Sequence, residues 1–255
     1  MSAISMATES PGDAPVVLIT GGARRLGAAM AMAFHQQGFR VAIHYHQSRH
    51  DATQLAATLP GSKAFQADLA VNTEIEHMVQ SLKAHFGRLD VLINNASTYF
   101  PTPLDEVTEG DWHKLMASNL TGPFFLSRSL ATELARRGGT IVNMADINGR
   151  QPLRGYSVYS LAKAGMIMLT RAMARELAPQ VRVNGIAPGS ILWPEGDAGM
   201  NEEAKQALLE RIPLGRCGNP ADIAHLALLL ATNPGYMTGQ VIAVDGGLNL
   251  AGGYD

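Results

Sequence analysis

A doubly wound, parallel α/β sheet of about seven strands, covered by helices on both faces within one domain, is the fold this sequence predicts. Three observations carry the expectation. Short β-branched runs alternate with segments of helical spacing, the order that builds a parallel sheet. A glycine cluster directly follows the first run. Almost every unusual polar residue falls at the carboxyl end of a run, where sheets of this kind bind their ligands.

The runs come in order. VVLIT (16–20) leads into TGGARRLG (20–27), which opens a helix. RVAIHYH (40–46) and KAFQADL (63–69) follow, and Ile75, Met78, Val79 and Leu82 then recur at helical spacing. DVLINNA (90–96), GTIVNMA (139–145), VRVNGIA (181–187) and QVIAV (240–244) complete the series. At their carboxyl ends stand Thr20 to Gly27, His46 to Arg49, Asp68, Asn94 to Tyr99, Asp146, and Pro188 to Trp193.

Composition bounds the function. The chain has 255 residues, 46% of them hydrophobic, enough for one sizeable core. With 20 basic and 22 acidic side chains it carries no basic stripe for nucleic acid and no acidic tail. Its one cysteine, Cys217, excludes an internal disulfide and fits a reducing compartment. MSAISMATESPGDAP lacks the basic and apolar regions of a secretory signal. Every long apolar stretch is broken by charge, Pro or Asn, so no membrane span is expected. The expectation is a cytoplasmic enzyme with residues 1–14 as a disordered lead-in and 15–255 as one Rossmann-type domain, without a metal site.

TGGARRLG has the features of a pyrophosphate-binding turn: glycines that admit the backbone, and a helix N-terminus that stabilises the anion. Arg24 and Arg25 oppose the helix macrodipole there, which makes sense if an anion is resident. NAD-binding folds usually place an acid about twenty residues after the glycines, to hold the ribose hydroxyl. Here HYHQSRH offers no acid before Asp51. His46, Gln47, Ser48, Arg49 and Arg24 instead surround the place of a 2′-phosphate, so the expected cofactor is NADPH. Asp68 is read either as an adenine contact or as a cap.

TGxxxxxG, NNA (94–96), Asn119 in SNLTGPF, YSLAK (159–163) and APGS (187–190) occur in one order from about residue 15 to 250. In this the chain resembles the short-chain dehydrogenase/reductase family. The resemblance implies Tyr159 as the acid–base residue, Lys163 holding the nicotinamide ribose and lowering the tyrosine pKa, and Asn119 positioning a relay water. It extends the cofactor set to Thr20, Gly21, Leu26, Gly27, Leu69, Asn95, Ala96, Pro188, Gly189, Ser190 and Ile191. Independently, Tyr159 and Lys163 share a helix face at i, i+4. Arg25 and Asp146 stand where the family usually has glycine and serine; with NNASTYFPTPL (94–104) and HYHQS (44–48) they resemble the pteridine reductases, close to the bacterial dihydromonapterin reductases. Better-known members carry arginine at the position of Gln47 and a longer insertion after the fourth strand. The resemblance makes Tyr99 a stacking platform beside Ser97, with packing as the alternative.

Asp146 suits a substrate that is not a ketone. A carboxylate repels a developing alkoxide, whereas a dihydropterin C=N takes a proton on nitrogen. Capping of the following loop is the other reading of Asp146. Arg25 is read as serving pyrophosphate and pterin, and Trp193 as closing over the site. GMIMLT (165–170) with LTGPFFLSRSL (120–130) reads as a subunit face, and the resemblance implies a homotetramer. The sequence thus predicts an NADPH-dependent pteridine reductase acting on dihydropterins, possible substrates extending to oxidised pterins and dihydrofolate. The rivals are a carbonyl or 3-oxoacyl-thioester reductase and an NADP(H)-binding sensor.

Overall fold

The computed structural model describes residues 13–193, 201–233 and 235–250. Most of the expected lead-in, and residues 194–200 after Trp193, lie outside the described residues. Asp13 and Ala14 are described: the Ala14 carbonyl accepts from the Arg40 guanidinium at 3.2 Å, and Asp13 pairs with Arg88.

Seven strands form one all-parallel sheet: β1 Val16–Ile19, β2 Arg40–Tyr45, β3 Lys63–Gln66, β4 Val91–Asn94, β5 Thr140–Met144, β6 Arg182–Pro188 and β7 Val241–Val244. The order is β3-β2-β1-β4-β5-β6-β7. The chain runs outward from β1 to β3, then returns to lay β4 against the other side of β1. That reversal opens a crevice beyond the carboxyl ends of β1 and β4. All four residues of β1 and of β4 are buried, which is why Val16–Ile19 and residues 91–93 read as apolar runs rather than as an alternation.

Helices bury one stripe each against this sheet. On one face, α1 (Arg25–Gln36) buries Gly27, Met30, Ala31 and Phe34, spaced i, i+3, i+4, i+7. It packs there with α8 (Pro220–Thr232), and α2 (Arg49–Thr58) lies at the β2–β3 end. On the other face, α3 (Asn72–Phe86) buries Ile75, Met78, Val79, Leu82 and Phe86 and stops at Gly87 in the left-handed conformation, φ 69°. Beside it lie α5 (Gly122–Arg136) and the long α6 (Ser157–Leu177). Each large apolar side chain buried in these layers contributes roughly 1.5–3 kcal/mol.

Two features prepare the site. Between α4 (Glu109–Met116) and α5, residues Ala117–Thr121 form a π-helical turn with Asn119 buried inside it; such turns recur at functional sites. The helix α7 (Glu202–Arg211) lies beyond the carboxyl edge of the sheet and buries no residue fully. Of the apolar segment 165–170, Met166, Ile167, Leu169 and Thr170 are buried within the chain. The exposed apolar surface of α5 and α6 is carried instead by Phe124, Leu161 and Met168. No helix among the described residues is long and apolar enough to cross a membrane.

Candidate active site

The turn after β1 is tied to the turn after β4. Thr20 Oγ1 accepts from the Asn95 and Ala96 amides at 2.8 and 2.9 Å, while Asn95 Nδ2 donates to the Thr20 carbonyl at 2.8 Å. Gly27 is close-packed: a Cβ there would lie 2.2 Å from the Gly21 carbonyl oxygen. This pulls the N-terminus of α1 onto the turn, leaving backbone amides open to an anion. Arg25 is the only non-glycine described residue with positive φ, at 51°, a conformation that costs on the order of 1 kcal/mol. It turns the Arg25 guanidinium over the crevice, where Nη2 donates to the Trp193 carbonyl at 3.1 Å.

At the ends of β2 and β3 the expected phosphate cations are partly engaged. Arg24 Nε pairs with Asp51 Oδ2 at 2.5 Å, an acid whose reach across to Arg24 the sequence reading missed. His46 lies 3.7 Å from Asp68. Asp68 accepts from the Ala70 amide at 2.9 Å, so it tethers its own turn, and Val71 is the cap of α3. Gln47 and Arg49 are exposed, Ser48 precedes α2, and Leu69 is buried against Gly122.

His44, within β2, was not foreseen as a site residue. Its Nδ1 accepts from the Gly21 amide at 3.1 Å and its Nε2 lies 3.0 Å from the Ala67 carbonyl, which fixes the neutral Nε2–H tautomer. Burial lowers its pKa to about 4. The folded value lies below the unfolded one, so this stabilisation is complete above about pH 6.5 and is lost as pH falls toward 4, a contribution of about 3 kcal/mol. The melting temperature should therefore drop across that window. His44→Gln should flatten the drop; an unchanged profile in the variant would remove His44 from the acid transition.

Asp146, Tyr159 and Lys163 meet at the carboxyl end of β5. Asp146 Oδ1 accepts from the Asn148 amide at 2.8 Å and caps a single turn, Ile147–Gly149, while Oδ2 accepts from the Tyr159 hydroxyl at 2.7 Å. Cap and site partner are thus one residue, through different oxygens. Burial holds the Asp146 carboxyl above its usual range, outweighing the Asn148 amide, Lys163 and Tyr159, which pull it down. Lys163 is fully buried, donates to the Met144 carbonyl at 3.0 Å, and has its pKa lowered by burial to about 8. Its ammonium lies 5.5 Å from the centre of the Tyr159 ring. The expected lowering of the Tyr159 pKa is not what the structure gives. Burial and the Asp146 charge raise it well above the usual phenol value, with only the Ser97 hydroxyl acting the other way. Tyr159 is a phenol that keeps its proton and points it at Asp146.

Asn119 is held on all sides by the fold. Its Nδ2 donates to the Thr98 and Leu115 carbonyls at 2.9 and 3.0 Å, and Oδ1 accepts from Ser97 Oγ at 2.6 Å. The side chain thereby fixes the Ser97–Tyr99 turn. Tyr99 lies flat against Tyr156, with ring centres 4.6 Å apart and 12° between planes, and edge-on to Tyr159 at 4.9 Å. Tyr156 was overlooked; it is the residue that caps α6, three positions before Tyr159.

These groups line a cavity of about 840 Å³. Arg25, Leu26, Asn95, Ser97, Tyr99, Asp146, Tyr159, Lys163 and Pro188 to Trp193 all contribute to its wall, together with one face of α7. His46, Gln47, Ser48, Arg49, Asp68 and Leu69 stand outside it, at the other end of the crevice. Trp193 packs under Lys205, whose ammonium is 5.7 Å from the indole. Cys217 is partly buried, and burial raises its thiol pKa, which disfavours the reactive thiolate.

A parallel sheet with a glycine turn at its switch point and a buried tyrosine–lysine pair above its edge defines a class, the nicotinamide-dependent oxidoreductases. Comparison with known proteins narrows it. A family profile described as enoyl-(acyl carrier protein) reductase matches residues 21–249. Pteridine reductase 1 of Leishmania tarentolae is 36% identical over 289 aligned positions, covering 95% of this chain and 99% of the relative. A 3-oxoacyl-acyl-carrier-protein reductase of Staphylococcus aureus is 35% identical over 238, covering 91% and 96%. A putative ketoacyl reductase of granaticin polyketide synthesis from Streptomyces violaceoruber is 34% identical over 252, covering 96% and 100%. The chain belongs to the short-chain dehydrogenase/reductase family, and it is an oxidoreductase.

Proposed function

We propose that the chain is an NADPH-dependent pteridine reductase, taking dihydropterins to their tetrahydro forms. The observation that carries this reading is the carboxylate of Asp146 bonded to the Tyr159 hydroxyl. A ketone substrate would develop an alkoxide next to that carboxylate. Two like charges about 4 Å apart repel by roughly 4 kcal/mol at an effective dielectric near 20, enough to slow carbonyl reduction by two to three orders of magnitude. An imine nitrogen receiving a proton gains from the same charge.

NADPH supplies the hydride when bound. The residues of the chain supply the proton and the orientation. With Asp146 ionised, Tyr159 donates to it. Burial favours the protonated form of Asp146; when the carboxyl takes up a proton, the bond reverses. Asp146 donates to the Tyr159 oxygen, and the tyrosine hydrogen is free for the ring nitrogen. Lys163, held by the Met144 carbonyl, would fix the nicotinamide ribose. Tyr99, backed by Tyr156, would stack on the pterin with a gain of ~1 kcal/mol, while Arg25 and Trp193 close the outer side. Tyr99→Ala should raise the KM for dihydropterin several-fold and leave NADPH affinity nearly intact. Loss of both, or of neither, would make the ring a packing residue.

The preference for the 2′-phosphate rests on the end of β2, where no acid follows Tyr45 until Asp51, and Asp51 is neutralised by Arg24. NADPH should be used in strong preference to NADH at matched, subsaturating concentrations. Gln47→Asp should weaken NADPH about tenfold by charge repulsion without creating good NADH use; equal use of both cofactors by the unaltered protein would refute the assignment. A reducing, cytoplasmic setting and a homotetramer built on the Phe124, Leu161 and Met168 face complete the reading, the latter open to sedimentation analysis.

A second reading has one observation in its favour: the 3-oxoacyl-thioester reductase is nearly as similar in sequence as the pteridine reductase. It predicts NADPH oxidation with an acetoacetyl thioester and none with dihydropterins.

A further inference from the structure

The wall of the cavity formed by the end of α7 and the turn Leu248–Leu250 carries two polar groups without a side-chain partner among the described residues. Asn249, in the single turn Leu248–Leu250, has both its backbone groups engaged: its amide donates to Asp245 Oδ2 at 3.0 Å, and its carbonyl accepts from Gln151 Nε2 at 3.0 Å. Its carboxamide is different. Both Nδ2 and Oδ1 are buried with no hydrogen-bond partner among the described residues, although the residue lines the cavity. A buried unpaired carboxamide is a standing cost that native proteins seldom carry without a use.

Arg211, the last residue of α7, lines the same cavity, is exposed, and makes no ion pair among the described residues. The two segments are joined. The Leu214 amide donates to the Gly246 carbonyl at 3.1 Å, and a Cβ on Gly247 would lie 2.9 Å from Pro213 Cγ. Gln151 ties this wall to the loop that starts at Asp146. No α7 glutamate lies in the lining. The nearby acid, Asp245, has each carboxylate oxygen occupied by a backbone amide, those of Gly247 and Asn249. The wall is therefore a donor-rich surface tied to the loop that carries the reacting end.

We infer that Arg211 and Asn249 form a subsite for the tail of the substrate, and that the tail it selects carries an anion: Arg211 pairs with the charge and Asn249 meets an amide or carbonyl of the linker. Such a tail has two sources, the carboxylates of a glutamyl pterin or the phosphates of a pantetheine arm. The inference rests on the catalytic end being at Asp146 and Tyr159, but not on which substrate class is reduced there.

Titration of the NADP⁺-loaded protein tests it without turnover, using two pairs matched by reacting end: folate with biopterin, and acetoacetyl coenzyme A with acetoacetyl N-acetylcysteamine. In each pair only the first tail is anionic. Arg211→Gln should weaken the anionic member of whichever pair binds by about tenfold, as expected for a lost charge-assisted hydrogen bond, and leave the neutral member within about twofold. Asn249→Ala should weaken the same ligand several-fold without lowering the melting temperature, because its carboxamide bonds nothing among the described residues. Equal losses for charged and neutral members, no loss in either, or a destabilised Asn249→Ala with unchanged affinity would overturn the subsite. Binding of the thioester pair alone would defeat the pterin reading and leave the subsite standing.

Discussion

Asp146→Ser is expected to lower dihydropterin reduction by about a hundredfold or more, the loss typical of a missing acid–base group, while NADPH affinity hardly changes. The serine keeps a short oxygen able to accept from the Asn148 amide, so the Ile147–Gly149 turn should survive, and circular dichroism should show the fold intact. What disappears is the carboxylate that faces the Tyr159 hydroxyl. Any carbonyl reduction by the variant should persist or rise, because the charge opposing an alkoxide is gone. Measured across about pH 5 to 8, undiminished dihydropterin turnover in the serine variant would remove Asp146 from proton transfer and leave it a cap.

Tyr159→Phe should be more severe and less selective. The phenol is buried, holds its proton tightly, and touches Asp146 directly, so its loss breaks delivery to an imine or a carbonyl alike. A fall of about a thousandfold, within the range of general acid catalysis, is expected for every substrate. The ring remains to pack edge-on against Tyr99, so stability should be preserved. Single-turnover rates separate this from slow product release. A phenylalanine variant that keeps more than about a tenth of the rate would place the essential acid elsewhere, with Asp146 the first candidate.

How much of this was legible in the sequence follows from what sequence patterns encode. The strands were legible because residues such as Val16–Ile19 and 91–93 are buried on both faces, and burial of that kind writes itself as an apolar run. The Tyr159–Lys163 pair was legible because helical spacing fixes which side chains share a face. Three things were not. Arg24 and Asp51 are 27 residues apart, and their meeting depends on how the turn before α1 faces the start of α2, which no local pattern states. The π-turn at Ala117–Thr121 interrupts an otherwise helical stretch, and an apolar period cannot show an added residue. The direction of the Tyr159 shift was missed because spacing reveals the neighbouring charge of Lys163 but not the depth of burial, and burial is the larger effect. His44 was hidden for a related reason: a histidine in a strand reads as ordinary until its two nitrogens are seen to bridge Gly21 and Ala67.

The central claim is that a carboxylate on the acid–base tyrosine commits this site to reduction of C=N rather than C=O. Its most direct test is one panel of initial rates of NADPH oxidation by the unaltered protein, with dihydrobiopterin, dihydromonapterin, dihydrofolate and an acetoacetyl thioester at equal concentrations. The account predicts that at least one dihydropterin is turned over about a hundredfold or more faster than the thioester. Thioester reduction at a rate equal to or above that of every pterin would contradict it.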